Sequence, residues 1–272
     1  METLFLSFEI AEKKRLLYRR IFPSYYLKMK KKLLILLIFI ISNSAFADGS
    51  FHLGASYIYQ TMHYKEPAIM DEKGKISGYS IEMRYALSER LRLGAELRFL
   101  GGHLEYNGST FSGTPIKQTT NDIVREYRST LGYALGSLRP YVGLGQRYWS
   151  NDLVISYLRE TTYNYIPMGL TYTSQPFYIT YEHRQFLSGT NKSHMSDVGG
   201  GRKDVSFTQK TGQGYLCEVG FFFPVSVFDM KVSLGYEFWQ VDNSTIANDG
   251  VDDLIEPHNS TNSFIASVGL FY

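Results

Sequence analysis

Asn262-Ser-Phe-Ile-Ala-Ser-Val-Gly-Leu-Phe-Tyr272 closes the chain. Phe264, Ala266, Val268, Leu270 and Tyr272 form one row and Ile265, Ser267, Gly269 and Phe271 the other, because successive side chains of a strand point to opposite faces. The stretch reads as a strand that is apolar on every second residue and ends on an aromatic carboxyl terminus. Alone it fits either a buried closing strand of a soluble β-sandwich or a strand whose outer row faces lipid. The segments upstream have to decide between them.

Working back from it, ten segments with strand character can be read, over residues 50–63, 77–87, 91–101, 123–135, 140–149, 162–172, 177–186, 211–223, 229–239 and 262–272. Their connections alternate in length. Tight hairpins are expected at 88–90, 136–139, 173–176 and 224–228, and long polar loops at 64–76, 102–122, 150–161, 187–210 and 240–261. Short turns at one end and long loops at the other describe an outer-membrane barrel with periplasmic turns and extracellular loops. The fold class expected is all-β: a closed antiparallel transmembrane β-barrel of ten strands, with eight or twelve as alternatives. The last strand should pair with the first, 264–272 against 51–59, and close the ring.

Within the segments the charges keep to one row. Tyr79, Ile81, Met83, Tyr85 and Leu87 alternate with Glu82 and Arg84; Leu91, Leu93, Ala95, Leu97 and Phe99 alternate with Arg92, Glu96 and Arg98. The same phase places Glu126, Arg128, Arg147, Glu182, Arg184, Glu218, Lys231 and Glu237 on the inner face. Opposite charges in nearly equal number can pair inside a closed lumen, where single charges would be costly. Aromatic residues are 15% of the chain, and many tyrosines fall near strand ends, as at membrane interfaces. The inner charges could line a narrow conduit for ions or small solutes. They could equally plug the bore, as side chains fill small barrels.

At the other end, Met29-Lys-Lys-Lys, the apolar run 33–41 and Ser42-Asn-Ser-Ala-Phe-Ala47 have the form of a secretory signal peptide, and the run is too short to span a bilayer as a helix. Residues 1–28 then read as an extension upstream of the true start, 29–47 as the signal and 48–272 as the barrel domain. The chain holds 28 basic and 26 acidic residues, of which nine and three precede Asp48, so 19 and 23 remain and the exported part is net acidic. That removes the compositional support for nucleic-acid binding. A single cysteine, Cys217, leaves the exported fold without an internal disulfide.

The terminal strand resembles the β-signal recognised by the barrel-assembly machinery, through Phe264, Ala266, Val268, Leu270 and Tyr272. More broadly, the ten strands and five long loops resemble the omptin superfamily of ten-stranded outer-membrane aspartyl proteases. Local matches are Gly74-Lys-Ile-Ser-Gly78 before the second strand, Gly101-Gly102 after the third, Ile166-Pro-Met-Gly-Leu-Thr-Tyr172 on the sixth and the terminal strand itself. The resemblance implies an Asp-x-Asp pair after strand three, facing an Asp-x-His pair after strand seven. At the first place this chain has Glu105-Tyr-Asn107; at the second it has Lys192-Ser-His194. His194 can be set on the family's histidine, but Lys192 then stands where the acid that orients a catalytic imidazole should be. Loss of proteolysis is therefore expected, with His194, Glu105 and Asn107 as the only catalytic candidates. The bland reading of all three is polar loop.

No other catalytic motif is present, and no metal site or cofactor is expected. Asp249-Gly-Val-Asp-Asp253 lacks the spacing of a calcium loop and reads as acidic loop. Arg202 and Lys203 could meet lipopolysaccharide phosphates. The function expected is an integral outer-membrane protein, monomeric among outer-membrane lipid, whose loops bind surface ligands or serve the envelope. An omptin-like endopeptidase and a narrow channel are the alternatives.

Overall fold

The computed structural model describes residues 51–109, 113–153 and 157–272. The proposed extension and signal segment lie outside the described residues. Thirteen strands occur: β1 (Phe51–Glu66), β2 (Met70–Ala86), β3 (Leu91–Ser109), β4 (Pro115–Tyr133), β5 (Leu138–Asp152), β6 (Leu158–Ser174), β7 (Phe177–Ser193), β8 (Val205–Gln209), β9 (Gly212–Val225), β10 (Phe228–Val241), β11 (Ala247–Asn248), β12 (Asp253–Leu254) and β13 (Asn259–Phe271). Ten of them form a closed antiparallel barrel in the order β1 to β7, β9, β10, β13, with β13 returning to β1. The expected fold class is borne out.

The closing seam pairs Val268 with Tyr57 and Phe264 with Thr61. That register lies two residues further along β1 than the sequence pattern suggested, because a period of two fixes the face and leaves even slips silent. Four tight turns stand at the expected end, but the long loop expected at 64–76 is instead a three-residue turn at the other end, between Glu66 and Met70. Gly136 sits at φ +61° in the two-residue turn that the Leu135–Leu138 bridge closes, a conformation that a side chain disfavours.

Alternation resolves as apolar outside and charged inside. Leu144, Leu234 and Phe264 are more than 60% exposed on the outer wall, while Glu182 and Arg184 are completely buried within. A water-soluble barrel would have the opposite sense, so this wall is built for lipid.

The strands are longer than the sequence pattern predicted. They run from 13 residues in β13 to 19 in β3 and β4, where a tilted crossing needs roughly nine to eleven. The excess rises beyond the lipid belt, as the outer wall itself shows. Above Tyr59 and below Tyr79 in the chain, outward positions turn from Tyr and Leu to His63, Lys65, Lys73 and Lys75; on β3 and β4 they become His103, Glu105, Asn107 and Lys117. Much of what reads as loop is therefore wall. The connection 187–210 also holds a one-turn 3-10 helix, Met195–Val198, and β8, which extends the β7 edge above β9.

Candidate functional site

His194 follows β7 directly, held by a backbone hydrogen bond from its N–H to the Leu158 carbonyl (2.9 Å). Its ring lies between two carboxylates, with Nε2 2.8 Å from Glu160 Oε2 and Nδ1 3.1 Å from Asp204 Oδ2. Tyr148 donates to the other oxygen of Glu160, and Ser196 donates to Asp204 through its hydroxyl (2.6 Å) and its N–H. Burial alone would raise Glu160, but the hydrogen bonds from Tyr148 and His194 outweigh it and hold this carboxyl below its ordinary value. The Ser196 hydroxyl does the same for Asp204. Lys192 stands opposite Glu160 in the strand register. The acids around the imidazole thus come from 34 residues before it and ten after it. The neighbouring position that the family pattern reserves for an acid holds Lys192, whose charge helps keep both carboxyls low. His194 is also not a free loop side chain, being about one-fifth exposed.

This arrangement holds more readily than it reacts. A general base needs one nitrogen directed at the proton it takes, with the other oriented by an acid. Here both nitrogens are engaged. Glu160 and Tyr148 also lie on the outward phase of β6 and β5, since Arg159, Thr161, Trp149 and Asn151 between them are the buried residues. Glu105 and Asn107 are likewise outward and exposed, on β3, where Asn107 donates to Asp71 (3.2 Å) and Glu105 stands opposite Lys73. Three strands, β4 to β6, separate β3 from β7 along the wall. The three catalytic candidates do not converge, because both sets point away from the bore.

Inside the raised wall lies a polar cluster that sequence reasoning missed. Arg159 reaches Glu66 (3.1 Å), Glu72 (2.8 Å) and Asn151 Oδ1, and stacks over Tyr64 and Trp149. Tyr64 lies between Glu66 (2.8 Å) and Glu256 (3.3 Å), the latter arriving from the connection before β13. Asp122 accepts hydrogen bonds from Thr120, Trp149 and Asn151. The one guanidinium thus pairs with two of the cluster's four buried carboxyls, Glu66 and Glu72. Burial pushes Glu72 up to about 8, against the pull of Arg159; burial and the neighbouring Glu66 push Glu256 to about 8. These positions fall in stretches that read as polar loop, where inward phase cannot be assigned without knowing that the strands continue.

Lower down, the inward charges form a network across the bore. Arg184 contacts Glu182 (2.8 Å), Glu126 (3.2 Å) and Glu237 (2.7 Å); Arg98 contacts Glu96, Glu126 and Glu237; Arg128 bridges Glu96 and Glu182. Glu82, Glu218 and Arg84 gather round Lys231 in a second set. Two residues of the expected network differ. Arg147 has no ion pair among the described residues and lies over the Trp239 ring, and Arg92 donates to the Ser88 and Leu91 carbonyls. Arg184 and its neighbours Arg98, Glu126 and Glu237 are at most 7% exposed, so side chains pack the bore at that level.

The long connections at the top are tied together. Arg202 bridges to Asp249 and Asp252, and the Lys203 N–H donates to the Asp249 carbonyl (2.6 Å). Met195, Val205 and Phe207 form a small core beneath, with Tyr157, Ala247 and Leu254 packed on it. The acidic run 249–253 therefore receives a guanidinium and its own backbone N–H groups. Among the described residues no three potential ligands converge as a metal site.

No family model and no curated protein matches this chain. Among solved structures it resembles the outer-membrane protease OmpT of Escherichia coli, with 14% identity over 85% of this chain and 99% of that one, at a TM-score of 0.53. The attachment invasion locus protein Ail of Yersinia pestis aligns at 14% identity over 81% and 98% of the two chains, at a TM-score of 0.31. At its identity the likeness to OmpT is one of fold.

Proposed function

We propose that this chain, which folds as an omptin-like outer-membrane β-barrel, serves as a surface-binding protein acting through its extracellular loops, without proteolysis. The observation that carries this reading is the character of the two tied connections. They are held from below by the Met195 core and the Arg202 bridges, yet Val198, Ile246, Val251 and Ile255 are left about half exposed or more. Aliphatic side chains held outward on an ordered support, well above the lipid belt, suit contact with another surface. The doubly anchored His194 and its distance along the wall from Glu105 count against a peptidase. The filled bore counts against a channel.

In this reading the protein is a monomer delivered by a signal peptide and the barrel-assembly machinery. Outward Lys65, Lys73, Lys75, Lys117 and Lys192, all exposed above the belt, suit the phosphates of lipopolysaccharide. The test is to replace 196–201 and 245–252 with short Gly/Ser segments in cells displaying the barrel. Adhesion to immobilised matrix proteins and glycans should fall at least tenfold, while heat-modifiable mobility is kept. Unchanged adhesion, or His194-dependent cleavage of a basic peptide by purified barrel with lipopolysaccharide, would overturn it.

A further inference from the structure

A cavity of about 370 Å³ lies in the bore below the charge network, towards the end of the short turns. Of the five guanidiniums that line it, Arg98 and Arg128 belong to the network, and the other three are Arg84 on β2, Arg92 on β3 and Arg139 on β5, the last two on either side of β4. Their spacing follows from glycines on the inward phase. Gly94 stands opposite Arg84 and Gly132 opposite Arg92 in the strand registers, and neither puts a side chain between the cations. The Arg139 stem leans into the space over Gly132, with Cγ and Cδ 3.3 Å from where a Cβ would stand. Arg139 and Arg92 are thus brought to either side of one glycine.

Two of these three guanidiniums have no carboxylate partner among the described residues. Arg84 is matched by Glu82. Arg92 bonds only backbone carbonyls, and Arg139 has neither a hydrogen bond nor an ion pair among the described residues. Of the acids lining the cavity, Glu82, Glu96 and Glu218 are taken by Arg84, Arg98, Arg128 and Lys231. Asp229 remains at the mouth on β10, half the ring away, and pairs with neither free guanidinium. Two uncompensated planar cations facing a concave, partly dehydrated space favour a bidentate oxyanion.

We propose that Arg92 and Arg139, supported by Arg84, form a binding site for a phosphate group entering from the periplasm. The volume exceeds that of orthophosphate alone, so the group belongs to a small phosphorylated solute or to a phospholipid headgroup of the inner leaflet.

The two sources are separated with purified full-length barrel in maltoside micelles at constant ionic strength. Inorganic pyrophosphate is titrated calorimetrically in one arm, and short-chain phosphatidylglycerol doped into the micelles in the other. Saturable binding of either probe is expected, weakened at least tenfold in Arg92→Gln and in Arg139→Gln, partly restored in the Arg→Lys variants, and unchanged in Lys203→Gln at the opposite end. Binding of pyrophosphate identifies a soluble ligand; binding of the lipid alone identifies a headgroup. Heat-modifiable mobility checks that each variant is folded. Failure of both probes to bind, or equal affinity in the Gln variants, overturns the site. Neither result bears on the adhesion assay.

Discussion

Raising the pH should loosen the long connection that carries Glu256. In the closed state Glu256 and Glu72 hold protons up to about pH 8, whereas an opened, hydrated carboxyl releases its proton near the ordinary 4.5. The closed state therefore binds more protons than the open one between those limits, and its stability must fall as pH rises through them. The contribution is fully present below about pH 4.5 and lost by about pH 9. At about 1.4 kcal/mol for each tenfold change in proton affinity, ionising one such carboxyl costs up to about 5 kcal/mol, shared where Glu256 and Glu66 influence one another. The readout is local, because the Ser244 N–H donates to the Glu256 carbonyl and the Glu256 N–H donates to Ser244 Oγ, both at 2.9 Å. Hydrogen exchange of peptides covering 242–258, corrected for intrinsic rates, should lose roughly a hundredfold in protection between pH 6 and pH 9. Barrel-wall peptides should keep theirs. Glu256→Gln, which cannot ionise, should flatten most of this dependence. Equal protection at both pH values, or an unaltered slope in the Gln variant, would refute the reasoning.

Two further outcomes follow from the bore. Arg184→Met removes one partner from three buried carboxylates and should lower the stability of the folded barrel by about 3–5 kcal/mol, read as the midpoint of the heat-modifiable mobility shift. Gly145→Ala places a Cβ 2.2 Å from the Tyr165 ring, which donates to Glu126, so that ring must shift; a loss of about 1–3 kcal/mol is expected in the same assay.

The barrel was legible because its signal is repeated. Each outward Leu or Tyr is weak evidence alone, but the same phase recurs round the ring and matches the alternation of short and long connections. Wall height was not legible. Above the belt the contrast inverts: outward His63, Lys65, Lys73 and Lys75 are polar while inward Met62, Tyr64, Ile76 and Leu104 are apolar and buried, so the phase that marks a lipid-facing strand is broken where the strand leaves the lipid. The Arg159 cluster was hidden for that reason. The surroundings of His194 were hidden for another: Glu160 reaches it through the β6–β7 register, which a bulge between Asn164 and Tyr165 shifts, and no spacing along the chain encodes that. Arg92 and Arg147 fell on the right face, but facing inward does not specify a partner.

Arg184 ties β7 to β4 and β10, and Arg98 ties β3 to β4 and β10, so these contacts act as spokes in a hoop. A ring of strands held only at its rim can flatten into an ellipse without breaking a backbone hydrogen bond. One with charged struts across its diameter cannot, since flattening along any axis pulls a cation from an anion in a dehydrated interior. The cross-section should therefore stay circular under lateral pressure from the bilayer, and the seam between β1 and β13 should not part to admit lipid.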